Sequence, residues 1–574
     1  MQDFAHLLDR LVLTPSRNGK LRLMEDFFRS TPDPDRGWAL AAITGDLDVV
    51  SVKPAMLRGL VATRMDGELF AMSHDYVGDM AEAISLVWDN ELRTAAGGAP
   101  QPERLRRNYV PTLSEVVETL SGMTKDKALV QVEEWLDVLD ASARYALLKL
   151  VTGGLRIGVS SRLAKQALAN LPDPPLDIAE IEELWHGLEA PYEDLFAWLL
   201  HGAPKPEHAA AAPFRPVMLS TAIEEPELEK YEASDYAAEW KWDGIRVQVT
   251  QEGETKRLYS RTGDDIGNAF PDLLDAMDFQ GTLDGELLVR QAGRDHDREP
   301  DGSGAIDVGT FSDLQQRLNR KTVSKKLQAQ YPVFVRVYDL LFDGSENLRD
   351  LPFRERRARL EAFMSHLDPS RFDLSPLLPF EKWDEVIAHR ETPPHPIIEG
   401  LMLKRWDSTY VPGRPRGPWF KWKRDPFAVD AVLMYAQRGH GKRSSFYSDY
   451  TFGVWQDVDG AERLVPVGKA YFGFTDEELK RIDKFVRDNT TERFGPVRGV
   501  TATRDKGLVI EVAFEGIQKS TRHKSGVAMR FPRVSRLRWD KPPHEADRIE
   551  TLQALIEAQE QQAEAAFRQV PRKG

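Results

Sequence analysis

From residue 1 to about 210 the apolar positions recur at three- and four-residue spacing, the period of an amphipathic helix. Phe4-Ala5-His6-Leu7-Leu8-Asp9-Arg10-Leu11 and Lys20-Leu21-Arg22-Leu23-Met24-Glu25-Asp26-Phe27-Phe28 show it most clearly. The same spacing predicts helices over about 76–94, 112–121, 128–138, 142–150, 161–170 and 177–200, separated by Pro- and Gly-bearing stretches such as Gly97-Gly98-Ala99-Pro100. An all-α layer of this size makes a domain in its own right. The small-residue stretch from Gly202 to Pro213 reads as a linker. Beyond it the period shifts towards two. Residues 236–250 and 255–260 alternate as a hairpin around Glu252-Gly253, and strand-like and helical pieces then mix to about 424, as in an α+β domain. From 427 short strands dominate: Ala428–Tyr435, Tyr450–Trp455, Glu462–Val467 and Gly507–Phe514, with one helix near Asp476–Asp488. Short strands with a basic, aromatic surface fit a small oligonucleotide-binding (OB) barrel. A polar helix from His544 to about Ala566 closes the chain. The expected domains are therefore 1–212, 213–425, 426–542 and a tail, 543–574.

Composition narrows the class. The 574 residues, 41% hydrophobic and 29% charged, describe an ordinary globular protein with room for three or four domains. No apolar run reaches the ~18 residues of a membrane span. Met1-Gln2-Asp3-Phe4-Ala5-His6 lacks the basic start and apolar run of a secretory signal, so the cytoplasm is the expected location and no membrane the expected partner. The absence of cysteine excludes disulfides, thiolate zinc sites and cysteine nucleophiles. The loop Arg294–Gly304 carries Asp and His without regular ligand spacing and reads as a charged loop rather than a metal site. A net charge of −14 argues against a polyanion partner until its distribution is read. Residues 401–450 hold ten Lys/Arg against four Asp/Glu, and residues 501–541 again hold ten against four. Two basic segments in an acidic chain point to a localised polyanion surface.

Candidate chemistry starts at Glu239-Trp240-Lys241-Trp242-Asp243-Gly244-Ile245-Arg246. Lysine becomes a nucleophile when a dry pocket or nearby positive charge lowers its pKa, and Trp240 and Trp242 can supply the dry wall for Lys241. Gly244 allows a phosphate or sugar close to the backbone, and Arg246 can hold a phosphate. Arg261, in Ser260-Arg261-Thr262-Gly263, can hold phosphate or ribose. Glu286, in Leu283-Asp284-Gly285-Glu286, can bind a ribose hydroxyl or a metal ion. Tyr338, on an apolar strand, suits stacking on a base. Glu399 in Ile398-Glu399-Gly400-Leu401-Met402-Leu403-Lys404 is a second candidate for magnesium, which prefers oxygen ligands. In Trp419-Phe420-Lys421-Trp422-Lys423 alternation puts both lysines on one side of a strand. Two ammonium groups side by side repel unless an anion lies between them. In the helical part, Gly153-Gly154-Leu155-Arg156-Ile157-Gly158 leads into a helix capped by Ser160 or Ser161. That segment fits either a backbone phosphate near Arg156 or a plain helix–helix turn.

As a set and in this order, these pieces resemble the nucleotidyltransferase family of ATP-dependent DNA ligases, which shares its core with capping enzymes and RNA ligases. Lys241-Trp242-Asp243-Gly244, Arg261, Asp284-Gly285-Glu286, Tyr338-Asp339, Glu399–Lys404, Trp419–Lys423 and Arg530-Phe531-Pro532-Arg533 through Trp539-Asp540-Lys541 match successive family motifs. The match is firm from about 214 to 541 and looser before that, where the helical region resembles the DNA-binding domain of the larger cellular ligases. Tyr338 departs from the phenylalanine more usual in the family. Arg414 and Arg416 straddle the position of an expected arginine, so either can be the nucleotide contact.

The resemblance implies a multidomain fold: an all-α N-terminal domain, an α+β nucleotidyltransferase core of ATP-grasp-like ligase type, and a C-terminal OB-fold barrel. It implies that Lys241 takes AMP from ATP, that AMP passes to the 5′-phosphate of nicked duplex DNA, and that the neighbouring 3′-hydroxyl then displaces it. By the same resemblance, Glu239 lies against the adenine, Tyr338 stacks on it, and Arg246, Arg261 and Glu286 hold ribose and phosphate. Lys404, Arg414, Lys421, Lys423, Arg530 and Lys541 complete the nucleotide site, and Mg²⁺, with Mn²⁺ able to substitute, is held by Glu286 and Glu399. DNA contacts are expected from Arg156 and from Arg438, Lys442 and Arg443 in Gln437–Arg443, without sequence readout. The barrel is expected to hinge near Arg424-Asp425-Pro426, and a monomer, nucleoid-associated if the source is bacterial, is the expected working form. The rivals are an RNA ligase, a capping-type enzyme and a non-catalytic DNA-binding scaffold. The long helical front argues against the first two, and the intact Lys241, Glu286 and Glu399 argue against the third. The cysteine-free sequence disfavours an NAD-dependent ligase.

Overall fold

The computed structural model describes all residues except 48, 50–51, 69, 71–72, 75–78, 89–108, 207–210, 291–307, 319, 321, 439–446, 472–474, 496, 522 and 569–574. The described residues divide into two compact units. One takes in Met1–Ile181, Leu188–Glu207 and Pro426–Gln553; the other takes in Glu182–Gly187, His208–Asp425 and Ala554–Gly574. No described helix is long and apolar enough to cross a membrane.

In the first unit the helical spacing produces helices. Gln2–Leu13 buries Phe4, Leu7, Leu8 and Leu11, and Arg17–Ser30 buries Leu21, Met24, Phe27 and Phe28. Side-chain caps set several starts: Ser16 accepts from Gly19, Asp79 from Glu82, and Ser160 from Leu163. Ser160, not Ser161, thus caps the helix Ser161–Ala169. Two expected helices are shorter. The pattern over 76–94 yields Met80–Val87, its flanks lying partly outside the described residues. The one over 177–200 breaks into Ile178–Leu184, a 3₁₀ turn at Trp185–Gly187, and Glu193–His201. Pro191 cannot donate to a helical ladder, and the periodic apolar spacing runs on across it, which is why the break was hidden.

The β-rich part of this unit is built on a long strand. Numbering strands along the chain, the second unit contributes β1 (Thr221–Ala222), β2 (Tyr236–Trp242), β3 (Ile245–Glu252), β4 (Thr255–Ser260), β5 (Gly281–Val289), β6 (Val333–Asp343), β7 (Glu346–Asn347), β8 (Phe372–Leu374), β9 (Leu377–Leu378), β10 (Ile398–Arg405) and β11 (Trp419–Lys423). The β-rich part follows with β12 (Phe427–Arg438), β13 (Tyr447–Val458), β14 (Ala461–Ala470), β15 (Thr490–Phe494), β16 (Val497–Val500), β17 (Val509–Phe514), β18 (Gly516–Lys519), β19 (Val527–Arg530) and β20 (Arg533–Arg538). β12 pairs with β13 on one edge and with both β17 and β16 on the other, which bends the sheet, and β14 comes beside β19 and β20. The helix Asp476–Asp488 forms where the pattern places it, opened by a Thr475–Glu478 capping box. The hairpins β15–β16 and β18–β19 were not legible, because β15 is almost wholly exposed and lacks alternation. The final helix runs Ile549–Arg568, with Ile549, Leu552 and Ile556 buried.

The second unit has two sheets. One has the order β1-β11-β10-β2-β9; the other has the order β4-β3-β5-β6-β7, with β8 beside β6. The chain leaves the first sheet at Trp242 and enters the second at Ile245, so Asp243-Gly244 is the corner between them. Each sheet has its own apolar layer: Val247, Leu258, Leu283, Val335 and Leu340 in the second, and Trp240, Trp242, Leu401, Phe420 and Trp422 in the first. Buried charge pairs tie this unit together. Arg356 grips Asp339 through two hydrogen bonds of 2.8 and 2.9 Å, with both side chains fully buried. Such a pair specifies a geometry more than it stabilises one. Glu183, from the helical stretch, pairs with Arg349 of this unit at 2.7 Å, and His186 packs against Phe214 and Tyr259.

Candidate active site

Alternation along β2 sends Glu239 and Lys241 to one side and Trp240 and Trp242 to the other. The two tryptophans belong to the apolar layer with Ile398, Leu401, Phe420 and Trp422, so they are not the wall of the lysine's pocket. Lys241 meets carboxylates instead. Its Nζ is in direct contact with Glu399. A bulge in β10 makes that possible: Ile398 pairs with Trp242 and Gly400 with Lys241, leaving Glu399 as the extra residue aimed at the lysine. Gly400 sits at φ +146°, and a Cβ there would lie 2.2 Å from the Trp422 carbonyl oxygen. The corner glycine has a similar task. A Cβ on Gly244 would meet the Leu287 carbonyl at 2.5 Å and Glu286 Cγ at 2.8 Å, so this glycine lets β5 and Glu286 come close. The sequence had suggested a phosphate or sugar in that space.

The electrostatics also differ from expectation. Burial presses the Lys241 amine towards neutrality, but Glu399 and Glu286 outweigh it and the pKa is raised. At rest the Lys241 side chain is an ammonium ion. Burial pushes the Glu286 carboxyl up to about 8; Lys241 and Arg246 pull it down and Glu399 pushes it further up. Burial is the larger cause, and the two nearby cations only partly offset it.

Basic groups converge from another side. Phe420 and Trp422 enter the apolar layer while Lys421 and Lys423 share the opposite face, as alternation predicts. Lys423 is 3.7 Å from Glu399. Burial first, then Arg414, Lys423, Lys241 and Arg261, hold Lys421 below the usual lysine range. Arg414 is therefore the arginine whose charge bears on this site, while Arg416 is largely exposed and pairs with Glu227 at 3.7 Å.

Behind these groups lies a buried scaffold. Glu239 is 1% exposed and accepts from Lys404 at 2.9 Å; Arg357 is 3.5 Å from its other oxygen. Lys404 is also buried, with its ammonium 4.5, 4.7 and 5.1 Å from the ring centroids of Tyr338, Trp419 and Phe353, and it donates to the Tyr338 carbonyl. It stands as a buried post against Tyr338 and Glu239. Arg246 donates to both oxygens of Asp284 (3.0 and 2.7 Å), to the Met218 carbonyl and to the Tyr410 hydroxyl, and lies 5.9 Å from the Tyr338 ring. Those four bonds occupy most of the guanidinium that was expected to hold phosphate. Asp284, Tyr410 and Arg357 were not singled out from the sequence. Asp284 stood in a quoted motif but was read past in favour of Glu286, and the other two carry no local signal.

The remaining candidates lie in the first unit. Lys541 and Arg538 both rest on Asp430, at 2.8 and 3.1 Å. Arg530, at the end of β19, lies over the exposed Phe531 ring. Arg438 lies 5.7 Å from the Tyr447 ring at the end of β12; Lys442 and Arg443 fall outside the described residues. Arg156 is exposed at φ +50°, in a turn whose Ile157 and Gly158 carbonyls accept from Lys20 at 2.8 and 2.9 Å.

An ammonium in contact with one glutamate and facing a second, with cations converging at the junction of two sheets, is the arrangement expected of a nucleotidyltransferase core. The comparisons agree along the chain. A model of the DNA ligase N terminus matches residues 1–169, one of the ATP-dependent DNA ligase domain matches 217–423, and one of the ATP-dependent DNA ligase C-terminal region matches 443–541. A probable DNA ligase of Koribacter versatilis is 29% identical over 97% of both chains. DNA ligase 1 of Korarchaeum cryptofilum is 29% identical over 97% of this chain and 98% of its own. The solved chain Pmar-Lig_PreS3 shares the fold at a TM-score of 0.54 and 14% identity, covering 93% of this chain and 99% of its own. This chain belongs to the ATP-dependent DNA ligase family. It is an AMP-forming ligase that uses ATP and a divalent metal ion.

Proposed function

We propose that the protein seals 5′-phosphate/3′-hydroxyl nicks in duplex DNA, with Lys241 as the nucleophile. Lys241 Nζ attacks the α-phosphorus of ATP; the α–β phosphoanhydride bond breaks, pyrophosphate leaves and a lysyl-AMP phosphoramidate forms. Glu399, in contact with the ammonium, is the group placed to take its proton. Lys421, Lys423, Arg414 and Arg261 oppose the charge of the triphosphate, where preorganised cations act most strongly. Glu239 and Tyr338 receive the adenine, and Lys404 supports both. The DNA 5′-phosphate then attacks the AMP phosphorus and frees Lys241, and the 3′-hydroxyl finally displaces AMP.

The residues present fit a divalent cation. Glu286 and Glu399 offer only oxygen donors, and burial is what raises the Glu286 pKa, a cost of ionisation that a bound cation would offset. Mg²⁺, or Mn²⁺ in its place, would supply charge neutralisation at the phosphates when bound there. In the β-rich domain, Arg530 and Lys541 serve the first step, and Arg438, Lys442 and Arg443 serve the duplex together with Arg156. The boundaries 1–212, 213–425 and 426–542 and a hinge at Arg424–Pro426 belong to this reading, as does a monomer on nicked DNA. Binding through phosphates makes affinity fall steeply with salt.

The observation that carries the reading is the contact of Lys241 with Glu399 beneath converging cations. Incubation with α-labelled ATP and Mg²⁺ should yield an acid-stable, hydroxylamine-labile protein adduct whose label moves to nicked DNA. Label from GTP or NAD and none from ATP would replace the reading with one of its rivals.

A further inference from the structure

Arg357 lies on the helix Phe353–Met364, in a stretch no motif marks. Its Nε donates to Glu361 at 2.8 Å, towards the surface, and its NH1 is 3.5 Å from Glu239 Oε1. Lys404, from β10, holds the other oxygen, Oε2, at 2.9 Å. Two cations from two separate elements thus close on one carboxylate that is 1% exposed. The terminal torsion of a glutamate is broad, so one partner alone leaves the second oxygen free to turn. With both oxygens held, the plane of the carboxylate is fixed. The same Lys404 ammonium lies 4.5 Å from the Tyr338 ring centroid, so ring and carboxylate are mounted on one post.

We propose that Arg357 is a positioning residue for purine selection. By holding Oε1 it aims the remaining lone pairs of Glu239 at the exocyclic amine of adenine. A carboxylate accepts hydrogen bonds from an amine and repels the 6-oxo group of guanine, so a fixed carboxylate favours ATP over GTP and a mobile one does so less. The inference rests on the reading that Glu239 lies against the base.

The test measures adduct formation from labelled ATP and from labelled GTP, and sealing of a pre-adenylated nick, in full-length Arg357→Met and Arg357→Lys. For Arg357→Met, KM for ATP should rise about tenfold with kcat for adduct formation nearly unchanged, and the preference for ATP over GTP should fall by a similar factor. Arg357→Lys should recover part of both. Sealing of the pre-adenylated nick needs no free nucleotide, because the AMP is already joined to the DNA, and should lose far less than adduct formation does. Wild-type KM and preference in Arg357→Met would overturn the inference. So would a parallel loss of pre-adenylated sealing, which would make Arg357 a packing residue only. Glu239→Gln separates the two levels. If it keeps the wild-type ATP preference, the placement of Glu239 against the adenine fails first. If it loses that preference while Arg357→Met keeps it, only the role of Arg357 fails.

Discussion

Two groups of cations in this protein sit in opposite electrostatic situations. In the α+β unit, Lys421 faces Arg414, Lys423, Lys241 and Arg261, and burial together with these neighbours depresses its pKa. Among the described residues, Lys421, Arg414 and Arg261 have no carboxylate within ion-pair distance; the two acids at this site, Glu399 and Glu286, are turned to Lys241. In the β-rich domain, Lys541 and Arg538 share Asp430 at 2.8 and 3.1 Å. The first group holds repulsion that a polyanion relieves; the second is neutralised by the protein itself. Positive charge in a sequence is therefore not one signal. Where it is left uncompensated the fold has kept a place for ligand charge, and where it is compensated the same residue types stabilise the resting domain.

The sharpest way to test this contrast is to remove the group on which the uncompensated charge is focused. Lys241→Ala should abolish the covalent AMP adduct altogether while keeping measurable sealing of a pre-adenylated nick. An adduct of wild-type yield in this variant would move the nucleophile elsewhere and strip the cation cluster of its meaning.

A smaller effect, with opposite signs on two readouts, is expected at Lys421. Lys421→Met should lower the adduct-forming rate by about 10²–10³, the usual cost of losing a preorganised charge. It should also leave the melting temperature unchanged or slightly higher, because it relieves repulsion from Arg414 and Lys423. A lower melting temperature with normal adenylation would mean that Lys421 is a stabilising surface lysine.

Much of this site could be read from the sequence, and the misreadings share a cause. Alternation alone placed Lys421 and Lys423 on one face, because a strand has a strict period of two. The same rule, applied to Trp240 and Trp242, places them away from Lys241. Glu399 reaches Lys241 only through a one-residue bulge, which shifts the register in a way that no periodicity announces. The raised Lys241 pKa depends on Glu286 and Glu399 arriving from β5 and β10, so it belongs to tertiary structure rather than to the motif. Arg246 and Lys404 were assigned to the nucleotide by resemblance, but their protein partners Asp284, Tyr410 and Glu239 are visible only once the sheets meet. At the level of the fold, the regular helices and the long strands β12 and β13 were legible. The exposed strand β15 and the break at Pro191 were not, because a polar edge strand has no apolar pattern and periodic spacing can run on across a helix break.

Glu286 offers a subtler contrast, through pH. Its carboxyl moves from an ordinary value of 4.5 up to about 8 in the folded protein. Between those values the folded state binds a proton that the unfolded state lacks, so this residue makes stability fall as pH rises from about 5 to about 8, and the loss is complete above that. Glu286→Gln removes the dependence. Its melting temperature relative to the wild type should therefore climb across that window, by several degrees at most. Mg²⁺ should flatten the wild-type slope if Glu286 is a ligand, since a cation takes the place of the proton. A constant difference between the two proteins from pH 5 to 9 would show that Glu286 carries no shifted proton.

The smallest effect is expected in the β-rich domain, where the charge is already compensated. Asp430→Asn keeps the shape of the side chain and removes the charge shared by Lys541 and Arg538; Arg538 keeps its pairing with Asp540 at 3.0 Å, while Lys541 loses its carboxylate partner. The Asp430 backbone amide still donates to the Asp547 carboxylate, so the strand itself stays anchored. The melting temperature should drop by about 2–4 °C, as for a modest loss in a domain of this size. The drop should shrink at high salt, which screens the exposed side of the pair. Adduct formation from ATP should change far less than in Lys421→Met. The two substitutions thus run in opposite directions: one costs chemistry and spares the fold, the other costs the fold and spares chemistry. If Asp430→Asn melts with the wild type at low salt, the compensation at Asp430 contributes nothing, and the difference between the two groups of cations reduces to the ligand they meet.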